Sequence, residues 1–202
     1  MKTFLRLLAF LILCSFTLVQ SQRTSGQTNR RETLQQEQLK KLMSKVGIDV
    51  PENDARTDPP KRYRELKIRW GVSTKSTTEL RPANKPEEQT QPPSVFIVED
   101  NKRLGTLPRN RSLELSPAHI FIAGVDATNK LRWWSIVHDP RLVRAETQTP
   151  TGELRGEDYY VSNVTLLVAF PDDPEIANLR FYHPFWNGTE FDLKPLTIVP
   201  TR

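Results

Sequence analysis

Three histidines, one short acidic run and four tryptophans are the side chains of this sequence best equipped for chemistry or recognition. His119, His138 and His183 are far apart, and none has a second ligand at the spacing a metal ion uses on one helix or strand. His138-Asp139 is the one neighbouring pair, and it suits either a turn or acid–base work. Asp172, Asp173 and Glu175 offer carboxylate oxygens to calcium, but such a cation takes about six or more oxygens and this run supplies too few. A small hydrolase or metal-dependent enzyme would need His138, Asp139 and the Asp172-Asp173 pair to converge in one pocket. The chain has no Gly-x-Ser-x-Gly elbow and no glycine loop of the phosphate-binding kind. Sequence spacing alone does not decide on carboxylate pairs for glycoside cleavage, since these meet in space. The expectation is a non-enzyme with no catalytic residue, no metal and no cofactor.

The aromatic residues are more informative. Neighbouring side chains on a strand point to opposite faces, so Trp133-Trp134 and Tyr159-Tyr160 each send one large ring to either side of a sheet. Such rings either pack in two layers or form a surface that stacks on sugar rings or a protein partner. On the second reading the candidate partner-binding residues are Trp133, Trp134, Tyr159, Tyr160 and Trp186. Leu39 and Leu42, on the apolar stripe of a helix, add a tether or an oligomerisation contact.

These residues need elements to position them. Between His119 and Val137 two apolar runs flank an Asp-Ala-Thr-Asn-Lys turn, which predicts an antiparallel hairpin apolar on both faces. Alternation groups Leu131, Trp133, Ser135 and Val137 on one face of the return strand, with Trp134 and Ile136 on the other. Upstream, Leu34, Leu39, Leu42, Met43 and Val46 recur mostly at three and four, predicting an amphipathic helix that Gly47 stops. A lone helix of this length is marginal in water, so its stripe must pack on something. The alternatives are its own β domain or a partner.

Residues 48–62 are rich in proline and acid and read as a linker. Tyr63 to Val72 alternates as a half-buried strand. Residues 81–94 read as a mobile loop, Val95 to Glu99 as a short buried strand, and Asn101 to Gly105 as a turn. Tyr159 to Phe170 is the longest strand candidate, with Val164, Leu166, Val168 and Phe170 on one face. Asp173 and Pro174 signal a single helical turn, and Asn187-Gly188 a tight one. About eight or nine strands separated by turn signals predict an all-β fold. Its form would be an antiparallel two-layer β-sandwich, immunoglobulin-like or transthyretin-like, over residues 63–202, preceded by the short amphipathic helix in residues 22–47. A closed barrel is the alternative.

Composition places this domain outside the cell. Residues 1–21 have a basic start at Lys2 and Arg6, an apolar middle and a small-residue cleavage site before Gln22, as a signal peptide does. Its apolar run is short and interrupted for a membrane span, so no stable span is expected after cleavage. The single cysteine, Cys14, lies inside that segment, which leaves the mature chain without disulfides or thiolate ligands. The mature chain keeps 27 of the 29 basic residues against 24 acidic, a net charge of +3. The basic residues are interspersed with acidic ones, which argues against nucleic acid. The expected protein is secreted, periplasmic or bound to the cell envelope. It binds a protein or glycan at the cell surface or extracellularly, or serves an architectural role in the envelope.

Overall fold

A computed structural model describes residues 32–33, 35–51, 61–71, 80–82, 94–107, 114–148 and 150–201. The predicted signal peptide, residues 52–60 of the predicted linker and residues 83–93 of the predicted loop lie outside the described residues. The fold is predominantly β, as expected, with antiparallel sheets and, among the described residues, one short helix.

The described residues form four sheets. β1 (Glu32–Thr33) pairs with β5 (Glu114–Leu115). A three-stranded sheet has the order β10-β2-β4, from β10 (Asn163–Pro171), β2 (Arg62–Gly71) and β4 (Ser94–Leu104). A four-stranded sheet runs β12-β11-β6-β7, from β12 (Phe191–Pro200), β11 (Asn178–Trp186), β6 (His119–Val125) and β7 (Leu131–His138). The remaining sheet has the order β3-β9-β8, from β3 (Leu80–Pro82), β9 (Leu154–Val161) and β8 (Leu142–Gln148).

The predicted hairpin is β6–β7, and it lies at the centre of the packing. On one side, Ile120 and Ile122 of β6 join Leu66, Ile68 and Trp70 of β2 and Leu166, Val168 and Phe170 of β10 in one apolar cluster. On the other, Phe121, Ala123 and Val125 join Leu39, Leu42 and Met43 of the helix. The period of two along β6 therefore feeds two cores, which is why both of its faces are apolar. The alternation predicted for β7 fails at its start. A bulge between Gly124 and Val125 sets Val125 opposite Leu131 and Gly124 opposite Trp133, so Arg132 is the extra residue. Leu131 thereby joins Ile136 and Trp134 on the helix side, while Trp133 and Val137 pack on the other.

The helix, α1 (Gln36–Lys45), is shorter than its sequence pattern and ends where Gly47 predicts. Gly47 adopts φ +70°, its N–H donates to Ser44 O at 3.2 Å, and the Ile48 N–H donates to Met43 O at 2.9 Å. This pair of bonds satisfies carbonyls of the last turn and brings Ile48 beside Met43 in the same core. The chain stays anchored beyond that point. Asp49 N–H donates to Asn129 O at 3.1 Å and Leu131 N–H to Asp49 O at 2.7 Å, forming a parallel bridge to the tip of the hairpin. Residues 48 and 49, read as linker, thus belong to the packed domain.

Two further readings are corrected. Tyr159 to Phe170 is not one strand, because the chain changes sheets at the buried Ser162, between β9 and β10. Val95 to Glu99 is neither short nor buried; it is part of an 11-residue edge strand that continues through the predicted turn at residues 101–104.

Candidate interaction surface

The residues proposed for hydrolytic or metal chemistry do not converge. His138 pairs with His119 across the β6–β7 ladder, their ring centroids 5.8 Å apart, and Ser116 Oγ lies 2.6 Å from His119 Nδ1. Asp172 and Asp173 lie at the opposite end of that ladder, roughly 20 Å away by strand rise. There Asp173 Oδ1 accepts from Glu175 N–H at 2.8 Å, and Arg132 forms ion pairs with Glu175 and Asp173. Lys102 takes Asp172 at 3.2 Å. Each carboxylate of the acidic run already has a cation beside it, and the helical turn predicted here is a capped turn. Among the described residues no group of three His, Asp, Glu or Cys side chains is placed to hold a metal ion.

Asp139 instead turns inward. Its carboxylate receives Arg141 Nε at 3.0 Å, Arg141 Nη2 at 2.7 Å and the Arg141 backbone N–H at 2.9 Å, with both side chains buried. The guanidinium lies 5.2 Å from the Trp70 ring centroid and 5.7 Å from that of Tyr160, bridging the three-stranded sheet and the β8–β9 sheet. Burial pushes the Tyr160 hydroxyl up, and the Asp139 charge adds to the effect. Burial also lowers the pKa of the nearby His183 to about 4; Arg141 acts in the same direction and Asp139 against it. His183 Nδ1 and Trp70 Nε1 are buried without a hydrogen-bond partner among the described residues. In this cluster Asp139, Arg141, Trp70 and His183 are buried and Tyr160 is half-buried, which suits holding elements together.

The aromatic candidates are largely occupied by internal packing. Trp134 stacks on Phe121 at 5.8 Å with planes 8° apart, while Trp133 meets Phe170 at 6.1 Å on the other face. The two indoles thus serve two cores, as their adjacency requires. Trp186 packs edge-on against Phe191 at 5.3 Å. Leu39 and Leu42 are buried against the chain's own sheet, so the helix stripe is filled intramolecularly. Lys41 and Lys45 reinforce that docking through ion pairs to Glu190 and Asp192. Hydrogen bonds and the charges of these carboxylates raise the Lys45 pKa, the Asp192 bond contributing most. Tyr160 is half-buried beside Arg141, and Tyr159, also half-buried, donates its hydroxyl to Glu157 at 2.6 Å.

The surface that remains is β4, which sequence reasoning missed. It pairs with β2 on one side and has no second neighbour among the described residues. Phe96, Ile97 and Val98 are 62%, 45% and 50% exposed in succession, and Leu104 is 83% exposed. β4 has a bulge where Lys67 and Ile68 of β2 face Glu99 and Ile97, leaving Val98 without a partner on β2. The sequence signal is Val-Phe-Ile-Val, and such an apolar run reads as core because runs of this kind are usually buried. No helix among the described residues is long and apolar enough to cross a membrane. No family model, no curated protein and no solved structure matches this chain.

Proposed function

We propose that the chain is an exported, non-catalytic β module that binds a protein partner at the cell surface or in an extracellular assembly, using the free edge of β4. The observation that carries this reading is the exposed run Phe96-Ile97-Val98 on a strand that has one edge unpaired among the described residues. Such an edge is a template for another strand; the charges that usually blunt an edge lie here at residues 99–103 and leave Phe96, Ile97 and Val98 uncharged. Main-chain hydrogen bonds along it give affinity, and alternate side chains give specificity. A protein strand satisfies both, whereas the half-buried Trp133, Trp134 and Trp186 each already hold a ring contact within the chain. Export is supported by the basic, apolar and small-residue sections of the first 21 residues.

Two measurements test it. N-terminal sequencing of the protein recovered from culture medium or envelope should begin at Gln22. Capture of partners from native surface and secreted extract should be lost when Phe96 and Ile97 are both replaced by lysine, while the melting temperature stays unchanged. Capture that survives this substitution would remove β4 from the reading.

A further inference from the structure

Resting on the reading of β4 as a docking edge, we infer that its occupant is β4 of a second copy of this chain, paired antiparallel about a two-fold axis at Asn101. The backbone permits it. Gly105 N–H donates to Lys61 O at 2.9 Å, and the register from Arg62–Leu104 to Lys67–Glu99 is unshifted. Antiparallel alternation then turns the N–H and C=O groups of Glu99, Asn101 and Arg103 toward β2, and those of Asp100, Lys102 and Leu104 toward the free edge. With the axis at Asn101, Asp100 lies opposite Lys102 of the second copy, and these two residues exchange both hydrogen bonds.

The side chains select that register. The segment Val98-Glu99-Asp100-Asn101-Lys102-Arg103-Leu104 is self-complementary when reversed: apolar meets apolar, and each acid meets a base. Glu99 faces Arg103 of the second copy on the outer face, and Asp100 faces Lys102 on the inner face. The charges already paired within one copy extend these contacts into alternating rows. Lys67 holds Glu99 at 2.8 Å, and Arg103 holds Glu65 at 3.2 Å, so the outer row reads base, acid, base, acid across the junction. Arg64 holds Asp100, and Lys102 holds Asp172 at 3.2 Å, giving the same order on the inner face. Moving the axis by one residue would set Asp100 against its own copy, or Lys102 against its own, and like charges directly opposite repel. The exposed Val98 and Leu104 close the two ends of the ladder. The product is a continuous six-stranded antiparallel sheet with an isologous interface.

The test is a charge swap on the full chain, read by sedimentation velocity from micromolar to submillimolar concentration. The wild-type protein should sediment at twice the mass of one chain. Lys102→Glu/Arg103→Glu makes the edge wholly acidic, and Glu99→Lys/Asp100→Lys makes it wholly basic. Each variant alone should fall twofold in mass, and mixing the two should restore the dimer, which a merely misfolded variant would not do. A wild-type monomer throughout this range overturns the inference. So does dimerisation of both variants on their own. Should a monomeric wild type still capture another protein through Phe96 and Ile97, only the identity of the occupant fails, and β4 remains the docking edge.

Discussion

The guanidinium of Arg141 lies bidentate on the carboxylate of Asp139, two residues back in the chain, and both side chains are buried. Pro140 between them forms the turn that aims both inward. Removing one partner leaves the other charge enclosed without compensation, which typically costs about 3–5 kcal/mol. Arg141→Met and Asp139→Leu should each lower the unfolding free energy by that much, whereas the double variant Asp139→Leu/Arg141→Met should lose less than the sum. Additive losses in this double-mutant cycle would mean that the pair is not coupled.

His183 links stability to acid. Its folded-state pKa of about 4 lies below the ordinary histidine value of 6.5, so the unfolded chain binds its proton first as pH falls. The contribution is fully present above pH 6.5 and is lost progressively on descending toward about pH 4, below which it no longer changes. The shift corresponds to about 3 kcal/mol. Unfolding free energies across this window should slope for the wild type and lose that slope in His183→Phe.

The docked helix contributes core rather than a free recognition face. Leu42→Ala and Leu39→Ala, each opening a void beside Phe121 and Met43, should cost about 2–5 kcal/mol in thermal or urea unfolding. Oligomeric mass should stay as in the wild type. A change in mass with unaltered stability would return these leucines to a role in recognition.

Trp134→Ala removes the ring stacked on Phe121 and should cost about 3–5 kcal/mol. Partner capture by the folded variant should persist at low temperature. Trp133→Ala should behave alike through the other core, because its ring packs toward Phe170. Loss of binding by either variant without loss of stability would restore the aromatic surface as the site.

Much of the fold follows from local rules alone. The 126–130 turn forms because Asp126 Oδ1 accepts N–H groups from Thr128 at 2.8 Å and Lys130 at 3.0 Å, a bond pattern written in adjacent residues. The same holds for the helix stop at Gly47 and for the turn at Asn187, whose Oδ1 accepts from Thr189 and Glu190 N–H, each at 3.0 Å. Doublets such as Trp133-Trp134 also fix local geometry, since the period of two sends adjacent rings to opposite faces.

Tertiary structure decided what those faces meet. Whether Val95 to Val98 is core or edge depends on which strand lies next to it, and no local pattern carries that information. The bulge that sets Leu131 apart from Trp133 depends on the pairing of β6 with β7. The sheet change at Ser162 and the enclosure of Asp139 and Arg141 arise from contacts between strands distant in sequence, such as Trp70 and Tyr160 with Arg141. Sequence alone therefore determined the helix and its stop, the local turns and the two-sided apolar character of the central hairpin, because turns, caps and alternation act between near neighbours. Long-range packing decided which aromatic residues find ring partners and which strand, among the described residues, is left with a free edge.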